Sequence, residues 1–183
     1  MDWYSIVKFL HVVSAIVWLG GGFMLMLLAV RADRAGDTSG TMQAMHATGE
    51  LGGKLMVPSS LLTLLSGLVM CSFWVGFSDL WIIIGLAGYT ATFLVGTLIF
   101  KPTADRMAAL VARDGLTPGA LAEGRRIMSV ARFDYTVMLI IVADMVLKPT
   151  VADIAILTAM AAVLLAGVGL TLGGLRQSGP AEA

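Results

Sequence analysis

The 183 residues set 12 Lys and Arg against 12 Asp and Glu, so the net charge of +0 excludes a general electrostatic draw toward nucleic acid or acidic partners. Only 13% of the residues are charged and 58% are hydrophobic, about half the charge of an ordinary soluble domain. Charge is missing from several stretches of roughly 18–25 residues, the length that crosses a bilayer core, and a soluble chain of this size has too little interior to hide them.

The pattern predicts an all-α transmembrane helical bundle of five spans in a bacterial cytoplasmic (inner) membrane, with the lipid bilayer as its main partner. The first span covers about 4–30; its apolar run is too long for a cleavable signal, and no small-residue cleavage pattern follows. A polar loop rich in Gly, Asp and Thr is expected over 31–50. The second span covers about 55–77, with Pro58 in its first turn, where a missing N–H costs little. Phe73, Trp74 and Trp81 flank the turn at 76–79 as an aromatic belt does. The third span, about 80–100, is expected to stop at Lys101-Pro102.

Residues 101–132 read as a cytoplasmic amphipathic segment. Thr103 is a candidate cap for a short helix ending at Asp114-Gly115, and Thr117-Pro118 reads as an N-cap followed by proline at the first helical position. That second helix is expected to run on into a fourth span at about 133–147, ended by Lys148-Pro149. A fifth span covers about 151–172, and a disordered tail 176–183 follows the single bundle of 1–175. No internal repeat supports an inverted-repeat transporter.

Arg31, Arg34, Lys54, Lys101, Arg106, Arg113, Arg125, Arg126, Arg132 and Arg176 fall on one set of connections, whereas Lys8 and Lys148 fall on the other. This bias of ten to two predicts an outward N-terminus and a cytoplasmic C-terminus.

His11 stands about two turns inside the first span, where an ionisable group is costly and marks a functional site. Neutral imidazole is a usual ligand of haem iron; the plainer reading is an interhelical hydrogen bond to a Ser, Thr or backbone carbonyl. Trp18 follows, and Gly20, Gly21 and Gly22 suit close approach by another helix or by a flat macrocycle. His46 cannot share an iron with His11, because the first span separates their levels by about 30 Å. Met42, Met45, His46 and Glu50 share a face if their segment is helical, a soft-metal arrangement to set against a solvated loop histidine. Asp144 and Lys148, four apart, either neutralise one another or form part of an outward proton or substrate site. Tyr89 and Thr92 are further polar residues at bilayer depth, and Asp134 lies at the cytoplasmic mouth of the fourth span. The one cysteine, Cys71, excludes an intrachain disulfide and reads as a small apolar residue.

The run from His11 through Trp18-Leu19-Gly20-Gly21 resembles the first helix of the HemJ proteins, a membrane protoporphyrinogen oxidase family, and of CopD-type copper-resistance membrane domains and their predicted integral membrane relatives. The stretch from Pro58 to Gly67 is similar to the second HemJ helix, and Arg132-Phe133-Asp134 leading to Lys148-Pro149 is similar to its closing segment. The resemblance implies a four-helix core plus an added fifth span, and haem b bound by His11. Where the family carries a lysine soon after the tryptophan matching Trp81, this chain has Ile82-Ile83-Ile84-Gly85. The likeness thus points to haem more than to protoporphyrinogen oxidation, and fits the relatives without assigned activity best.

Three readings follow. One is a membrane redox protein, a haem-dependent oxidoreductase, with His11 as metal ligand and Trp18, Gly20, Gly21, Tyr89, Asp144 and Lys148 lining the cofactor. The second is a copper or small-solute transporter. The third is an accessory or assembly subunit that packs against another membrane protein or a second copy of itself.

Overall fold

A computed structural model of the chain describes residues 2–177, and among them every regular element is helical. Of the expected tail 176–183, residues 176–177 still belong to the last helix, and 178–183 lie outside the described residues. The helices form two compact units, Met1–Ile83 and Ile84–Ala183.

In the first unit, α1 (Trp3–Arg34) starts at Asp2, whose carboxylate accepts the Tyr4 N–H at 3.2 Å and the Ser5 hydroxyl at 2.7 Å. Arg31 and Arg34 occupy its last turn, where cations oppose the helix dipole. Its buried positions are Ser14, Gly22 and Ala29, small side chains at seven- and eight-residue spacing that form one seam for a neighbouring helix. Gly36 turns the chain at φ 70°, and Asp37 caps α2 (Thr38–Leu51) by accepting the Gly40 N–H at 2.8 Å.

The expected polar loop over 31–50 is therefore mostly helix. Its Gly and Thr content disfavours helix, but the Asp37 cap and the burial of Thr41, Ala44 and Met45 outweigh that weak preference. A π-helical stretch, Gly52–Met56, joins α2 to α3 (Val57–Met70), and a second, Cys71–Val75, extends α3. α3 packs along α1, and α2 packs on α1 as well. At the far end of α3 the Trp74 ring meets Tyr4 edge-on at 5.6 Å and Phe73 at 5.7 Å.

α4 (Leu80–Val95), in the second unit from Ile84 onward, runs through a π-helical stretch, Gly96–Phe100, into α5 (Lys101–Asp114). Lys101-Pro102 does not stop the helix. Proline occupies the first turn after the π-helical stretch, where the wider hydrogen-bond register tolerates a missing N–H. Thr103 does not cap; its side chain is almost fully buried and its hydroxyl accepts from Arg106 at 3.0 Å. After a turn at Gly115, α6 (Pro118–Leu147) starts as expected, with the Thr117 hydroxyl accepting the Ala120 N–H at 3.3 Å, and runs unbroken to Leu147. Lys148 ends it in the left-handed conformation (φ 47°, ψ 57°), followed by the fully buried Pro149. α7 (Ile154–Gln177) packs on α6.

Among the described residues, four continuous helices are long and apolar enough to cross a membrane: Trp3–Arg34, Thr38–Val75, Leu80–Asp114 and Ile154–Gly173. α6 is not among them, because Arg132, Asp134 and Asp144 interrupt its apolar stretch. Large side chains such as Phe9 (69% exposed) and Leu165 (71%) face outward with no protein against them, which suits lipid and not water.

Candidate functional site

His11 lies on the α1–α3 seam, and its ring is held from the facing helix. Nδ1 is 2.7 Å from the Thr63 carbonyl oxygen and 3.3 Å from Ser66 Oγ. A carbonyl only accepts, so Nδ1 carries the proton and Nε2 is left with a lone pair. Gly67 makes room for this: a Cβ there would sit 3.2 Å from His11 Cε1. The hydroxyl of Ser14, one turn beyond His11, donates to the His11 carbonyl at 3.0 Å and lies 2.9 Å from the Thr63 hydroxyl. Thr63 and Ser66 are otherwise satisfied by carbonyls of their own helix. The interhelical bond expected as the plainer reading is thus present, and it engages one nitrogen of the ring.

Of the other residues expected around a cofactor, Trp18 and the buried Gly22 fall on the His11 face of α1, whereas Gly20 falls opposite, nine residues on. A Cβ at Gly20 or Gly21 would meet nothing within 4 Å, so neither glycine serves helix packing. Thr63, Ser66 and Gly67 complete the site without having been assigned a role from sequence. Their signal was present as small and hydroxyl residues three and four apart on a second apolar helix.

Met42, Met45, His46 and Glu50 do lie on a helix, α2. Met45 is buried, His46 is exposed, and Glu50 is tied to Lys54 at 2.8 Å. Among the described residues no group of three or more His, Cys, Asp or Glu is placed to hold a metal ion. A donor set of one oriented imidazole suits haem, whose porphyrin brings four ligands of its own, better than a bare ion that needs several side chains.

Tyr89, Asp144 and Lys148 belong to the second unit. Asp144 on α6 is fully buried, and neither carboxyl oxygen has a hydrogen-bond partner. The expected neutralising bond to Lys148 is not made: the left-handed backbone of Lys148 takes it off the helix, and the residue is exposed. Oδ2 of Asp144 lies 3.6 Å from where a Cβ of Gly85 would be, with the Met145 methyl filling the space that glycine leaves. Tyr89, one turn along α4 from Gly85, stacks on Phe93 with centroids 6.5 Å apart. The buried Thr92 donates to the Tyr89 carbonyl at 2.9 Å.

The model of the DUF2269 family of predicted integral membrane proteins matches residues 5–149, most of the chain and both of the seams just described. The chain belongs to this family. No curated protein and no solved structure matches it. The match stops at Pro149, and α7 lies outside the matched residues.

Proposed function

We propose that this DUF2269 protein is a membrane redox protein whose first unit binds a b-type haem on Nε2 of His11. One observation carries the reading. The 2.7 Å contact from Nδ1 to the Thr63 carbonyl fixes the tautomer and the ring orientation, as the outer partner of a metal-bound histidine does. Bound haem iron supplies one-electron chemistry. The protein's own contribution is to hold the imidazole between α1 and α3, to fix its tautomer through the carbonyl, and to space the ring from α3 through Gly67. The likeness of the His11–Gly21 stretch to HemJ and CopD-type helices, and of the Pro58–Gly67 and Arg132–Pro149 stretches to HemJ helices, supports the same reading.

In this reading α6 is a fifth span, its acids shielded by its neighbours, the N-terminus faces outward and His11 lies near the extracytoplasmic surface. The bias of ten Lys and Arg to two supports that orientation.

An absorption spectrum of the detergent-solubilised full chain, oxidised and reduced and with added hemin, tests the proposal. A Soret band with reduced b-type bands is expected. His11→Ala should abolish them, Gly67→Ala should shift them by crowding the ring, and His46→Ala should leave them unchanged. A wild-type protein that takes up no haem, or a His11→Ala variant with an intact spectrum, overturns it.

A further inference from the structure

Asp134 and Asp144 are buried on one side of α6, ten residues apart, with Val137 and Ile141 between them at the spacing of a single helical seam. Asp134 is 5% exposed and Asp144 0%, and Oδ1 of Asp134, like both oxygens of Asp144, has no hydrogen-bond partner. An ionised carboxylate left this way in apolar surroundings costs far more than its protonated form, so the group takes up a proton instead of staying charged.

The facing helix makes the two acids part of one line. A Cβ on Gly85 would approach Asp144 and Met145, and one on Gly88 would approach Ile141 and Val137, so α4 runs antiparallel to α6. That register sets Tyr89 and the buried Thr92 opposite the stretch between the two carboxyls, which a rise of 1.5 Å per residue puts about 15 Å apart along the helix. The hydroxyl oxygen of Tyr89 is itself buried.

We propose that the α4–α6 seam is a proton path with Asp144 and Asp134 as its binding stations and Tyr89 with Thr92 between them. Each station cycles between carboxylic acid and carboxylate; a proton enters at one end and leaves at the other, and no electron is exchanged. Met145, unbranched and flexible, shares with Asp144 the space beside Gly85 and can shift without breaking a hydrogen bond.

The charged groups near the two stations are few. α4 carries no ionisable side chain except Tyr89, and α7 carries none before Arg176 at its far end. Lys148 and Asp153 lie beyond the end of α6, and Lys148 is exposed. Near Asp134, Tyr135 is adjacent and Arg132 is exposed. On α5, Lys101 is bound to Asp105 at 2.9 Å, Arg106 to Glu123 at 3.6 Å and Arg113 to Asp114 at 2.7 Å.

Infrared spectroscopy of the full chain in nanodiscs reads the protonation state directly. At neutral pH the wild type should show a protonated-carboxyl C=O stretch that shifts in deuterium oxide, weakened in Asp144→Asn and in Asp134→Asn and lost in the double variant. Proteoliposomes enclosing a pH dye under an imposed potassium diffusion potential should acidify, and either single variant should fall to the rate of empty vesicles. A wild type without the band, or Asn variants that pass protons as fast as wild type, overturns the proposal. Should an Asn variant fail to fold, labelling of the wild type by a hydrophobic carbodiimide decides: an adduct on Asp144 that declines as pH rises supports it, and no adduct on either acid overturns it. None of these readouts depends on haem.

Discussion

The α1–α3 seam and the α4–α6 seam are built from similar material, long apolar helices with a few polar side chains at heptad-like spacing, yet they treat those side chains in opposite ways. In the first, His11, Ser14, Thr63 and Ser66 share hydrogen bonds within and between helices, and no buried side-chain polar atom of that unit lacks a partner among the described residues. In the second, Asp144 keeps both carboxyl oxygens bare, one of them beside Gly85, and Asp134 keeps one. Satisfied polar groups fix how two helices sit; unsatisfied ones detract from stability and persist where something must bind or leave. The first seam therefore reads as a rigid mount and the second as a route.

Removing the groups should then have opposite signs. Asp144→Leu deletes an orphaned polar group and fills the same space, so we expect it to stabilise the protein by roughly 1–3 kcal/mol while abolishing proton passage. Thermal or denaturant unfolding in detergent checks this, and a variant markedly less stable than wild type would mean that the carboxyl has a strong partner. His11→Leu deletes a satisfied group and should destabilise by about 1 kcal/mol, the scale of interhelical hydrogen bonds in membranes. If both substitutions moved stability the same way, the contrast between the seams would collapse. Thr63→Val, which keeps the carbonyl that holds His11 but removes the hydroxyl 2.9 Å from Ser14, should cost only about 0.6 kcal/mol and leave any haem spectrum in place.

Much of this architecture was legible in the residues. The apolar stretches marked the helices, Thr117-Pro118 marked the start of α6, and Lys148-Pro149 its end, because caps and prolines act locally. His11 stood out as an ionisable group within an apolar run. What could not be read was tertiary. Gly and Thr over 38–51 gave no hint that packing on α1 would keep them helical, and Pro102 signalled a stop that a preceding π-helical stretch made unnecessary. The i,i+4 spacing of Asp144 and Lys148 suggested a neutral pair, since nothing local announces that Lys148 adopts a left-handed backbone. The partners of His11 sit more than fifty residues away, on a helix whose register no spacing in α1 encodes.

The smallest effect separates these buried groups from the exposed ends that surround them. Asp153, just before α7, accepts the Thr150 N–H at 2.8 Å and its hydroxyl at 2.7 Å, and these bonds hold its carboxyl below the usual range, the backbone one foremost. A carboxyl lowered in the folded state adds stability above its unfolded pKa and loses it as pH falls through the folded value. The turn entering α7 should accordingly loosen only in acid, below the ordinary titration range of an aspartate. Hydrogen exchange at the amides of 150–157 would show the opening, with Asp153→Asn, which keeps an acceptor, removing its acid dependence. An equal loosening near neutral pH would assign the change to some other group, because a solvated aspartate tied to a threonine has already ionised there.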